Sequence, residues 1–230
     1  AEDGGARERD QGGSHRDRAY YSGEPRRARR AVGLLRNRGL SEAERARVPP
    51  GQHVVRDFPV LHAGDVPYRT PPADWDFRVW GRVAEPVRWT LDEMRSLPSR
   101  TVTCDIHCVT TWSKLGTVWE GVPLSHVLEV VRPLPDATHV VAHAEEGYTA
   151  NVPLERLQAD DVLLAYAYGG RDLEPEHGGP LRLLVPSLYF WKSAKWLRGL
   201  ELLDHDEPGF WERLGYSNSA DPWKEERYGF

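Results

Sequence analysis

The stretch Cys104-Asp-Ile-His-Cys108-Val-Thr-Thr-Trp-Ser113 holds both cysteines of the chain. A thiolate is a soft ligand, suited to soft or high-valent metals. Residues 101–109 are rich in strand formers, and a period of two puts Val102, Cys104, Ile106 and Cys108 on one face. Cys108 then stands where a strand runs into a polar loop, Thr110-Thr111-Trp112-Ser113. Such a strand end is a rigid platform for one metal ligand, and the loop can close a pocket over it. Three chemistries compete for this stretch. The first is a pair of buried, inert thiols. The second is zinc held by Cys104, His107 and Cys108, although a structural zinc wants four ligands and the period puts His107 on the opposite face. The third is a single catalytic thiolate, Cys108, completing a cofactor that brings ligands of its own.

A second group of residues suits an anion. A phosphate-bearing cofactor needs cationic donors converging from separate loops. His177-Gly-Gly-Pro-Leu-Arg182 supplies a histidine and an arginine, with two glycines between them that let the backbone approach a ligand. Lys192, Lys195 and Arg198 follow, and two of the chain's four lysines fall in this window. The competing reading is a charged loop beside a core strand, with Arg182 paired to Glu176 or Asp172.

The elements that must carry these residues are short. Ser41 and Glu44 have the capping-box spacing for a helix over 40–46, and Thr90 and Glu93 have it for a helix over 90–97. Pro49-Pro50-Gly51 is a break. Alternation and β-rich runs predict strands at 77–83, 101–109, 138–144, 162–168, 181–185 and 196–203, with an amphipathic helix over 124–131. Residues 169–180 form a turn-rich loop. No repeat is visible, and no Gly-Ser linker divides 51–230. The expected fold class is α+β: mixed β-sheets with short helices. The expected organisation is an Arg-rich, partly disordered arm over 1–50 and one catalytic domain over 51–230.

Composition narrows the function. The chain has 230 residues, 40% of them hydrophobic, which is enough for one sizeable core. The net charge of −5 gives no reason to expect a nucleic-acid partner. Residues 1–50 hold 12 Arg against 8 Asp and Glu, a solvated basic segment. No run approaches the roughly 20 apolar residues of a membrane span. The apolar stretch after Arg29-Arg30 is too short for a signal-peptide core, so the expected location is the cytoplasm.

Four segments together resemble the sulfite-oxidase family of molybdenum enzymes: Asp57-Phe-Pro-Val-Leu-His-Ala-Gly64, Ile106-His-Cys-Val-Thr-Thr-Trp-Ser113, Glu176-His-Gly-Gly-Pro-Leu-Arg-Leu-Leu-Val-Pro186 and Phe190-Trp-Lys-Ser-Ala-Lys-Trp-Leu197. The likeness covers about 56–230 and is greatest to the short bacterial members, which are similar to the catalytic subunit of methionine-sulfoxide reductase. The resemblance implies an α+β molybdopterin-binding domain with Cys108 as the protein ligand to molybdenum. By motif match it implies that His177 and Arg182 meet the pterin phosphate, that Ser193 and Lys195 make the later contacts, and that His62 touches the pterin from an early loop. It implies the molybdopterin form without an added nucleotide. The chain departs from the vertebrate-type pattern after the ligand: Val109-Thr110-Thr111-Trp112 stands in place of a Gly-Asn-Arg run. A sulfite dianion wants an arginine close by, so the expected pocket is neutral and aromatic, suited to a small sulfoxide or similar oxo substrate. Trp112, Tyr148 and Tyr189 are candidates for its wall, and His107 for a group that orients the loop or donates to substrate. Neither a haem-domain signature nor the family's immunoglobulin-like dimerisation domain is found in these residues. The expected partners are therefore a small-molecule substrate and a separate electron donor or acceptor protein. The reaction implied is oxygen-atom transfer. Two rivals stand beside it: a cofactor-free binding scaffold on the same fold, and a zinc-binding interaction domain.

Overall fold

A computed structural model describes residues 36–229. Most of the arm expected over 1–50 lies outside the described residues. From Asn37 onward the chain already touches the domain: the Asn37 amide bonds the Gln52 carbonyl and the Val54 N–H, and Arg47 pairs with Asp105.

The strands are β1 (His53–Val54), β2 (Asp76–Gly81), β3 (Val87–Thr90), β4 (Arg100–His107), β5 (Trp112–Pro123), β6 (His139–Ala144), β7 (Thr149–Pro153), β8 (Leu163–Tyr168), β9 (Arg171–Asp172), β10 (Arg182–Leu184) and β11 (Leu197–Leu203). The short helices are α1 (Glu42–Arg45), α2 (Leu91–Ser96), α3 (Leu124–Val131), α4 (Leu154–Leu157) and α5 (Phe210–Arg213). One sheet runs β1-β5-β8-β10, with β4 added to β5 and β9 to β8; the other runs β3-β2-β11-β6-β7. Both contain one parallel pair, β1 with β5 and β2 with β11, among antiparallel ones. The α+β class with mixed sheets is what forms.

Local chemistry explains the elements that the sequence predicts well. Both capping boxes are present, Ser41 with Glu44 and Thr90 with Glu93, each side chain taking the other's backbone N–H. Helix α3 buries Leu124, Val127, Leu128 and Val131, the i, i+3, i+4, i+7 stripe of a helix lying on a sheet. The apolar run of β8 reflects burial on both faces. Leu164 and Tyr166 enter the main core between the sheets, while Leu163 and Ala165 enter a second cluster on the other side.

That second cluster is the floor of the site. Ile106, Trp112, Trp119, Leu184 and Phe190 form it, and Val102, Cys104 and Cys108 pack on it, so the face predicted for 101–109 holds. It does so across a register shift between Cys104 and Ile106. Two expectations fail here. Trp112 and Ser113 belong to no loop; they open β5, a twelve-residue strand that no alternation announced. The loop expected over 169–180 contains β9 and a 3₁₀ turn at Pro175–His177.

Strand β5 must pass close to β8. A Cβ on Gly121 would run into the Leu164 carbonyl and lie 2.7 Å from the Ala165 Cα. Gly121→Ala should therefore destabilise the protein by about 1–3 kcal/mol, seen as a lower urea midpoint at unchanged m-value. Gly39→Ala, which meets nothing within 4 Å, is the neutral control. A Gly121→Ala protein with the parent's midpoint would contradict the close strand contact.

Candidate active site

Cys108 sits at the tip of the β4–β5 hairpin. Its N–H donates to the Trp112 carbonyl (2.8 Å), and its carbonyl accepts from the Thr111 N–H (3.1 Å). Thr111 closes the turn at φ 77°, a left-handed conformation costly for a β-branched residue. The Cys108 Sγ accepts a hydrogen bond from the Thr110 hydroxyl (3.2 Å). Burial pushes the Cys108 thiol up, against the opposing pull of the Thr110 hydroxyl and N–H and of the Arg227 and Lys195 charges.

A cavity of about 230 Å³ opens on this thiol. Cys108, Arg182, Ser193, Lys195 and His62, from four separate stretches of chain, all line it. Arg182 is 1% exposed. It donates to the carbonyls of His177 (2.7 Å) and Ser193 (2.8 Å), and its guanidinium lies 4.2 Å from the Phe190 ring centre. Burial pushes it down to about 9, so it stays charged at neutral pH. Lys195 donates to the Glu176 carbonyl (2.7 Å); burial first, then the Arg182 charge, takes it down to about 7. Neither cation has a carboxylate partner among the described residues. Glu176 and Asp172, the alternatives for Arg182, are held instead by Arg69 and Arg95.

Glycine at 178 is required for this convergence. Its φ is 103°, and a Cβ there would lie 2.8 Å from the Lys195 Cβ. The 3₁₀ turn before it presents the His177 carbonyl to Arg182. The His177 ring itself stacks on Phe58 (4.1 Å), and its Nε2 lies 3.3 Å from the Phe58 carbonyl, so it braces the wall from behind and does not line the cavity. Burial lowers its pKa. Ser193 has its hydroxyl occupied by the Val185 N–H (2.9 Å) and contributes the carbonyl that holds Arg182. His62 is exposed at the rim, edge-on to Trp196, with Nδ1 bonded to the Gly64 carbonyl.

Several other candidates leave the site. Lys192 is fully buried against Glu212 (2.7 Å) and Asn151, and Arg198 is taken by Asp76 and Glu145. Of the aromatic candidates, Trp112 and Tyr148 line the cavity and Tyr189 packs behind it with Trp191. His107 is buried, with Nδ1 on the Ser113 hydroxyl (2.8 Å), and takes no part in the lining. Cys104 is half-buried near Thr117, its thiol pushed up to about 12 by burial. Among the described residues no three His, Cys, Asp or Glu side chains converge to hold a metal, which removes the ligands of the zinc reading. Sequence reasoning missed Phe210, Trp211 and Tyr216 in the cavity wall; they follow the last core strand and carry no periodic signal.

The donor set suits a phosphate-bearing, metal-carrying group. Two buried or half-buried cations, without carboxylate partners among the described residues, line the same cavity as one thiol. The Trp112 indole N–H in the wall is buried with no acceptor among the described residues. A cofactor offering anionic oxygens and ring acceptors would satisfy these groups.

Comparison with known proteins agrees. The family model described as oxidoreductase molybdopterin binding domain matches residues 63–211. The chain belongs to this family. It is 48% identical over 182 residues to the uncharacterized oxidoreductase YuiH of Bacillus subtilis (strain 168), covering 79% of this chain and 92% of that protein. It is 34% identical over 161 residues to the protein-methionine-sulfoxide reductase catalytic subunit MsrP of Gluconobacter oxydans (62% of this chain, 51% of that one). It is 28% identical over 188 residues to sulfite oxidase of Arabidopsis thaliana (66% and 48%), so it spans about half the length of these last two. The fold matches the sulfane dehydrogenase SoxCD of Paracoccus pantotrophus with a TM-score of 0.55 at 22% identity, over 77% of this chain and 55% of that one. The protein is a molybdopterin-dependent oxidoreductase with a sulfite-oxidase-like fold. No helix among the described residues is long and apolar enough to cross a membrane.

Lys195 makes the unloaded site sensitive to pH. Its folded pKa of about 7 lies below its ordinary value of 10.5, so between those values the unfolded chain binds more protons and stability rises with pH. Cofactor-free protein should gain thermal stability from about pH 7 to pH 9, and Lys195→Met should gain less over the same range. Equal pH dependence of Tm for the two proteins, measured by calorimetry, would show that the Lys195 proton is not held this way.

Proposed function

We propose that this oxidoreductase moves one oxygen atom to or from a small, uncharged sulfur-containing oxo substrate such as a sulfoxide. The observation that carries the reading is the cavity itself, where one thiol and two cations without carboxylates share a wall with Trp112, Tyr148, Trp191, Phe210, Trp211 and Tyr216. Cys108 is the metal ligand. Arg182 and Lys195 neutralise the pterin phosphate, His177 and Ser193 hold Arg182 through their carbonyls, and His62 closes the early-loop side. The catalytic domain runs over 51–230, and the pterin is the form without an added nucleotide.

The bound molybdenum cofactor supplies the two-electron oxygen-atom transfer. The protein's share is to bind, orient and exclude water. Thr110 donates to the Cys108 sulfur and fixes its direction. The aromatic wall offers an apolar seat for the substrate's carbon groups. Once Arg182 and Lys195 are taken up by the phosphate, the lining offers a sulfite dianion no further Arg or Lys, and its carboxylates are Glu145, paired with Arg198, and Glu146. Two electrons per turnover come from or go to a separate protein, a reading supported by the word "subunit" in the name of MsrP. The compartment in this reading is the cytoplasm, where Cys104 and Cys108, both free, stay reduced.

Protein from a host that makes the cofactor should hold near one molybdenum and one pterin per chain, by elemental analysis and by fluorescence of the oxidised pterin. It should reduce methyl sulfoxides with a viologen donor faster than it oxidises sulfite with ferricyanide. Cys108→Ser should drop turnover to background, and Cys104→Ser should leave it within about twofold, as expected for a thiol that only packs. Full activity with molybdenum bound in Cys108→Ser would sink the ligand assignment, and a preference for sulfite would sink the substrate class.

A further inference from the structure

The tip that carries Cys108 is gripped from outside its own hairpin. Thr111, a β-branched residue at φ 77°, makes the tip a strained turn, and such a conformation persists only where neighbours over-determine it. Two side chains supply the determination. Gln52, 2% exposed, donates Nε2 to the Cys108 carbonyl (2.9 Å). Arg227, also 2% exposed, donates Nη1 to the next carbonyl, that of Val109. The backbone after Gln52 continues the grip, with the His53 N–H on the Thr111 carbonyl (2.9 Å).

These two residues come from opposite ends of the described chain, and the residue before Gln52 lies beside Arg227. A Cβ on Gly51 would lie 2.6 Å from Glu225 Oε1 and 3.3 Å from Arg227 Nη2. Arg227 lies 4.9 Å over the Tyr189 ring, and the Ser217 N–H bonds its carbonyl (3.1 Å). The segment after the last core strand thus reaches the hairpin tip and wedges a guanidinium beneath it. Consecutive carbonyls held by two separate donors fix the Cys108–Val109 and Val109–Thr110 peptide planes, and together with the Cys108 N–H on the Trp112 carbonyl they set the direction of the Cys108 side chain.

We infer that Gln52 and Arg227 are positioning residues for Cys108, acting as a two-sided clamp on the carbonyls of Cys108 and Val109. The inference rests on the reading of Cys108 as the metal ligand. It also accounts for an arginine near the ligand that no motif announces: Arg227 takes a backbone carbonyl and does not line the cavity.

The test uses the full chain with Gln52→Leu, Arg227→Met and Arg227→Lys. In cofactor-free protein, amide hydrogen exchange over 108–112 should speed up about tenfold in Gln52→Leu and Arg227→Met, as expected for one lost hydrogen bond. In loaded protein compared at equal molybdenum content, both should broaden and shift the Mo(V) electron paramagnetic resonance signal. Both should lower kcat by about a hundredfold with little change in KM, the scale of a displaced catalytic group. Arg227→Lys, which keeps one donor, should recover part of the signal. Unchanged exchange and an unchanged Mo(V) signal in folded Gln52→Leu would overturn the clamp. That variant removes a single bond and decides the matter alone if Arg227→Met does not fold. The reading beneath it fails separately: Cys108→Ser with an unaltered Mo(V) signal would remove Cys108 as ligand whatever the clamp variants do.

Discussion

The site depends on a charge buried without a counter-charge among the described residues. Taking a guanidinium out of water costs several kcal/mol unless something replaces the solvent. At Arg182 the replacements are backbone carbonyls, those of His177 and Ser193, and the faces of Phe190 and Trp119. Carbonyl dipoles satisfy the N–H groups but leave the net charge in place. The protein therefore carries an electrostatic deficit at the cavity wall that a phosphate would fill. Much of the local architecture follows from holding this one group: the 3₁₀ turn that turns His177's carbonyl inward, the glycine at 178 that lets Lys195 approach, and the Ser193 hydroxyl locked to the Val185 N–H.

The thiol is held by a different principle. Cys108 is at the meeting point of two apolar clusters, one on the outer face of the β1-β5-β8-β10 sheet and one built from Tyr189, Trp191 and Tyr216. Its hairpin tip is strained, and distant segments brace it. Anion site and thiol thus reach the same cavity by independent routes, the first through buried polar bonds and the second through backbone geometry. In the proposed reading, that separation would let the cofactor be held at its phosphate end by charge and at its metal end by a directed sulfur.

The sequence made the shorter elements legible wherever a local rule applies. The two capping boxes, the stripe of α3 and the doubly buried run of β8 follow from spacing alone. Strand β5 did not, because Trp-Ser-Lys-Leu-Gly-Thr-Val-Trp-Glu-Gly alternates poorly and carries two glycines. It is a strand because β1, β4 and β8 all pair with it. Strands β3 and β7 were missed for a related reason: four or five residues are too few to show a period.

Among the site residues, the sequence by itself determined which types were present and at what spacing: a thiol on a strand end, a His-Gly-Gly-Pro-Leu-Arg run and a cluster of cations after it. Only the tertiary structure decided which cations serve the cavity. Lys192, Lys195 and Arg198 are alike in sequence, yet Glu212 buries with the first and Asp76 and Glu145 claim the third, leaving Lys195 without a carboxylate partner among the described residues. Likewise only the fold put the His177 ring behind the wall and brought Gln52 and Arg227 to one hairpin tip. The physical reason is that a charge's role is set by its nearest counter-charge and its distance from water. Both are properties of neighbours far away in the chain, which spacing along the sequence does not encode.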